Sequence, residues 1–86
     1  MRTLIPKIKR NELNKITIKY NAKNNNRIEK YNWIDISIND NEQIEILTDN
    51  HKNLYIDLNK IELVKTENNH IILYLFEYIV LFIKND

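Results

Sequence analysis

The chain has 86 residues, a net charge of +1 and no cysteine or glycine. One small domain of this length buries limited surface and has no disulfide or thiolate metal site to staple it. The missing glycines exclude Walker loops, dinucleotide fingerprints and nucleophile elbows, all of which need a backbone without Cβ.

The charge is polarised. Residues 1–30 carry nine basic and two acidic side chains, a net +7, and residues 31–86 carry four Lys and ten carboxylates, a net −6. Such a split points to electrostatic partners. The sixteen Ile, fifteen Asn and ten Lys are the mark of an AT-rich coding sequence. Without glycine, Asn and Asp are the residues that best tolerate left-handed backbone. Turns are therefore expected at Asn24-Asn25-Asn26, Asn39-Asp40-Asn41, Asp49-Asn50 and Asn68-Asn69.

In chain order, Met1–Asn14 is the least regular part. Pro6 and four basic residues break the run to Arg10, so no secretory signal is read there. Residues 1–12 are expected to be a basic arm, or an edge strand built on Leu4, Ile5 and Ile8, where Pro6 fits only an edge. Ile16, Ile18 and Tyr20 then alternate with Thr17 and Lys19. Ile34, Ile36 and Ile38 alternate with Asp35 and Ser37, which places Tyr31 and Trp33 on the opposite, outer face. Ile44 and Ile46 alternate with Gln43 and Glu45, Leu54, Ile56 and Leu58 with Tyr55 and Asp57, and Ile61 and Leu63 with Glu62. Period-two runs rich in β-branched residues read as strands. Asn59-Lys60 interrupts the phase and reads as a bulge or corner.

The last segment, HIILYLFEYIVLFI at 70–83, is the most apolar. It is too short for a membrane helix, which needs about 20 apolar residues. A soluble helix apolar on every side would need complete burial. Strand, or two strands meeting near Phe76-Glu77, fits its composition. Both faces are apolar, so the second must be covered, either by the N-terminal segment or by a second copy. Ile72, Tyr74, Phe76 and Tyr78 are the candidate self-association residues.

Together these runs predict a single all-β, mostly antiparallel domain over residues 1–86. Its expected form is a small SH3-like or OB-like barrel or a sandwich of about six strands, with room for a short helix near the C-terminus. No cofactor or metal is expected: His51 and His70 are the only histidines, and Asp49 with His51 does not make a ligand set. Ser37 is the only serine, and nothing groups it with an acid or base, so no enzyme is expected.

The expected function is binding. Lys15, Lys19, Lys23, Arg27 and Lys30, with Tyr31 and Trp33, form the candidate partner surface. The leading reading is a cytoplasmic protein that docks on a larger protein or nucleoprotein and blocks it. In size and composition alone, the chain resembles small accessory proteins of phages and mobile elements, including anti-defence inhibitors such as anti-CRISPR proteins. The alternatives are a nucleic-acid-binding barrel, whose basic and aromatic residues would track phosphate and stack bases, and a homodimeric or larger structural module. No membrane partner is expected.

Overall fold

The structure is a computed structural model that describes residues 3–21, 27–67 and 69–84. Among them are one helix, α1 (Leu4–Arg10), and seven strands: β1 (Lys15–Tyr20), β2 (Ile28–Ile38), β3 (Gln43–Thr48), β4 (Asn53–Asp57), β5 (Ile61–Thr66), β6 (His70–Leu75) and β7 (Tyr78–Ile83). The strands form one sheet in the order β4-β3-β2-β1-β7-β6-β5, with every neighbouring pair antiparallel. The chain meanders from β1 out to the edge strand β4. A 3-10 corner at Leu58–Lys60 carries it to the opposite edge, β5, and it returns to end beside its own first strand.

The all-β, antiparallel expectation holds, with one strand more than the expected six. The apolar C-terminal stretch is indeed two strands, β6 and β7, joined at Phe76-Glu77. The corner at Asn59-Lys60 is the 3-10 turn, whose entry residue Asp57 accepts a hydrogen bond from the Asn59 N–H at 2.9 Å.

The N-terminus corrects the reading. Leu4–Arg10 is neither arm nor edge strand but a helix, and this helix lies at the N-terminus rather than near the C-terminus. Leu4, Ile5 and Ile8 have the i, i+1, i+4 spacing of one helical face, and all three are buried. Pro6 falls in the first turn, where its missing N–H removes no intrahelical bond. A seven-residue helix is too short to persist alone, so its docking on the sheet is what holds it.

One core gathers the inner faces of both halves of the sheet. Ile16 and Ile18 of β1, Ile36 of β2, Ile44 and Ile46 of β3, Ile56 of β4, Ile71, Leu73 and Leu75 of β6, and Val80 and Phe82 of β7 join α1 and Leu13 in a single cluster. Each fully buried Ile or Leu side chain contributes about 1.5–3 kcal/mol.

The expected turns at 39–41 and 49–50 are present. Asn24–Asn26 and Asn68 lie outside the described residues. Positive φ, however, is not taken by Asn or Asp among the described residues but by Glu12 (56°), Glu42 (57°) and His51 (65°). The Asn side chains instead bond the turn backbone. Asn39 Oδ1 accepts from the N–H groups of Asn41 and Gln43, both at 3.0 Å. Asn50 Oδ1 accepts from the Lys52 N–H at 3.2 Å. The neighbouring residue is left to take the left-handed position.

Candidate docking face

The largest departure from the sequence reading is in β2. Trp33 pairs with Thr48 and Asp35 pairs with Leu47, so Ile34 is an extra, bulged residue. A bulge shifts the in–out phase by one. Before it, Tyr31 lies opposite the buried Ile16 and shares its face. After it, Ile36 takes the core position, and Ile34 is 55% exposed. Tyr31 and Trp33 are therefore not an outer aromatic platform. Both are half-buried and pack against the core. The Trp33 indole N–H donates to the Leu13 carbonyl at 2.6 Å, and its backbone N–H donates to the Asn14 carbonyl at 3.0 Å. The Tyr31 hydroxyl accepts from Lys52 Nζ at 3.1 Å, and this bond raises the Lys52 pKa.

The predicted cations separate into two groups. Lys15, Lys19 and Lys30 stand on the outer face of β1 and β2. Arg27 lies at the end of β2, where its guanidinium sits 4.2 Å from the Tyr20 ring centroid and 4.0 Å from a Glu29 oxygen. Tyr20 donates its hydroxyl proton to Glu29 at 2.9 Å; burial first, then this bond, raises the Tyr20 pKa. Lys23 lies outside the described residues.

The candidate self-association residues also divide. Ile72 and Tyr74 share the outer face of β6 with His70, opposite to the buried Ile71, Leu73 and Leu75. Phe76 lies in the β6–β7 turn and is 83% exposed. Tyr78 pairs with Tyr20 across β1 and β7, and the two rings are 5.7 Å apart. Burial first, then the nearby Tyr20, raises the Tyr78 pKa. Phe76 and Tyr78 line a cleft of about 580 Å³ at the 3-10 corner, together with Tyr55, Asp57, Lys60 and Glu62.

What assembles instead is a five-strand outer face, set by register. Leu63, Tyr74, Ile79, Lys19 and Ile28 stand in one row across β5, β6, β7, β1 and β2. The next row is Lys65, Ile72, Leu81, Thr17 and Lys30, and the third is His70, Ile83, Lys15 and Asn32. Ile72, Tyr74, Ile79, Leu81 and Ile83 thus form a contiguous apolar centre of half-buried side chains. Four lysines flank it: Lys15, Lys19 and Lys30 on one side and Lys65 on the other, the last 5.5 Å from the Tyr74 ring. No carboxylate occupies these strand positions. Glu67 closes the corner beside His70, 3.6 Å from its Nε2.

The expected cover for this face is absent among the described residues. The N-terminal segment does not cross it, because α1 packs its apolar side into the core on the other surface of the sheet. Ile79, Leu81 and Ile83, which supply most of the patch, were legible as the alternation of β7 carried past the Phe76-Glu77 break. What the sequence could not supply was the β1–β7 pairing, which sets Thr17 and two lysines beside them.

Among the described residues no group of three or more His, Asp or Glu side chains is placed to hold a metal ion. Ser37 lies on the exposed side of β2 with Glu45 opposite it. No helix of the described residues is long and apolar enough to cross a membrane. Compared with protein-family models, curated proteins and solved structures, the chain shows no match.

Proposed function

We propose that this is a non-catalytic binding protein of the cytoplasm. It docks through the outer face of β5-β6-β7-β1-β2 onto an apolar, acid-rimmed surface of a larger protein, and blocks that surface by occupying it. The observation that carries this reading is the apolar centre of Ile72, Tyr74, Ile79, Leu81 and Ile83 between lysines, with no carboxylate in its three register rows and the exposed Glu62 only at the bulge of the edge strand β5. A partly exposed apolar patch over which no element packs among the described residues has the anatomy of an interface core, and a rim of one charge steers a complementary partner and sets its register. The target class suggested by size and composition is a protein subunit of a nucleoprotein complex, of the kind that small anti-defence inhibitors block.

The four lysines would also suit phosphate. A nucleic-acid reading is less favoured because Tyr31 and Trp33, the aromatics that would stack bases, face the core, and the centre of the lysine face is aliphatic apart from Tyr74.

The test is affinity purification of tagged protein, with and without nuclease, beside the double variant Ile72→Asp/Leu81→Asp. Far-UV circular dichroism first establishes that the variant is folded. The expected result is a stoichiometric protein partner that survives nuclease and is lost with the variant. Bound nucleic acid that disappears with nuclease or high salt would replace this reading with the nucleic-acid one. A partner retained by the folded variant would move the docking surface elsewhere.

A further inference from the structure

We infer that, away from its target, the lysine face is occupied by a second copy of this chain seated head to tail. The inference rests on the reading of that face as a contact surface, and it adds an occupant drawn from the protein's own opposite side.

That opposite side is the outer face of β2-β3-β4. Register places Asp35, Leu47 and Asn53 in one row, Ser37, Glu45 and Tyr55 in the next, and Gln43 with Asp57 in a third. Leu47 is 37% exposed and Tyr55 is 48% exposed, so this face also has an apolar centre. Its charged strand positions are the carboxylates Asp35, Glu45 and Asp57, with no Lys or Arg among them. Lys9 reaches Asp35 from α1 at 3.8 Å, but both side chains are largely exposed, and such pairs hold weakly. Between the rows runs a shallow groove of about 330 Å³, lined by Asp35, Ser37, Glu45, Leu47 and Asn53.

The two outer faces point away from one shared core, so a single copy cannot bring them together. Symmetric pairing of two lysine faces would gather the lysines of both copies at one seam. Head-to-tail pairing sets lysines against carboxylates and one apolar centre against the other. The contact is heterologous, so each pair keeps a free patch of each kind, and association continues unless a ring closes.

Size decides the strength. The smaller, acidic face sets the limit: three strands about 4.8 Å apart and three rows of outward side chains about 6.7 Å apart cover roughly 290 Å². A stable interface buries about 800 Å² per partner. The self-contact is therefore weak and salt-sensitive, and a better-fitting target displaces it.

The experiment uses sedimentation velocity on the full chain at low salt, over a concentration series. Leu81→Asp disables the lysine face, and Glu45→Lys/Leu47→Lys disables the acidic face. Wild type is expected to associate with rising concentration, and each variant alone to weaken association by about tenfold or more. An equimolar mixture of the two variants is expected to form a pair and stop there, because the patches left over are both disabled. A mixture no more associated than its components would overturn the inference. So would a Glu45→Lys/Leu47→Lys variant that associates like wild type while Leu81→Asp does not, since that marks a symmetric dimer. Target capture lost with Leu81→Asp but no mixed pair defeats the self-contact alone. A mixed pair with target capture unaffected by Leu81→Asp defeats the docking proposal alone.

Discussion

Replacing Trp33 separates a core role from a contact role, and the structure sets the size of the effect. The residue is half-buried against the core, and its indole N–H bonds the Leu13 carbonyl in the segment joining α1 to β1. Trp33→Phe keeps most of the packing and removes the bond, so it should cost about 1 kcal/mol. Trp33→Ala removes the ring as well. Full burial would put that loss at about 3–5 kcal/mol, and half-burial brings it to roughly 2–3 kcal/mol. A domain of this length has a total stability of only about 4–13 kcal/mol. At about 4–8 °C per kcal/mol, the alanine variant should melt roughly 10–20 °C lower. Because Trp33 is the single tryptophan, unfolding is followed by far-UV circular dichroism in urea and on heating rather than by fluorescence. A midpoint for Trp33→Ala within about 0.5 kcal/mol of wild type, a change typical of plain surface positions, would refute the core assignment. It would return Trp33 to the candidate partner surface.

Three further outcomes are expected. Thr48 is fully buried, and its hydroxyl bonds Lys52 and Asn50 across the β3–β4 turn; Thr48→Val should cost about 1–2 kcal/mol in urea unfolding despite its conserved shape, and an unchanged midpoint would remove the hydroxyl from the account. His51 is exposed at φ 65°, where an L-residue is disfavoured by about 1–2 kcal/mol and glycine is not. Allowing about 0.5–1 kcal/mol for the extra freedom glycine has when unfolded, His51→Gly should be neutral to stabilising by up to about 1.5 kcal/mol, and a clear loss of stability would count against the turn geometry. Tyr20 and Tyr78 have pKa values raised on folding, so the folded state holds their protons more tightly than the unfolded chain. Their contribution is fully present below pH 10 and is lost as pH rises through the folded values, so stability should decline in alkali. Phenolate absorbance should show both ionising above the ordinary tyrosine value, and Tyr78→Phe should flatten the alkaline decline; an unchanged slope would argue against it.

Much of this architecture is local and was open to reading in the sequence. Alternation of period two marks β1, β3, β4 and β6 directly, because side chains on a strand point to opposite faces in turn. Asn-rich breaks locate the turns, and Phe76-Glu77 interrupts the apolar run where β6 ends and β7 begins. The absence of glycine was a guide to where turns fall but not to who bends. At 39–43 and 48–52, Asn39 and Asn50 hold backbone N–H groups with their side chains, and Glu42 and His51 take the strained positions.

The remaining features were decided by contacts distant in the chain. The helix at Leu4–Arg10 has too few residues to form by propensity alone; it exists because Leu4, Ile5 and Ile8 enter a core built by strands as distant in the chain as β7. The bulge at Ile34 arises where β2 leaves β1 and takes up β3, and the phase of a strand across such a point belongs to its partners rather than to its own alternation. That single inserted residue turns Tyr31 and Trp33 inward. The candidate docking face depends likewise on pairing the first strand with the last, which brings Lys15, Thr17 and Lys19 beside Ile83, Leu81 and Ile79. The order of residues alone determined that this chain carries opposite charges in its two parts. Only the sheet order determined that lysines and carboxylates would stand on two separate outer faces, each around an apolar centre.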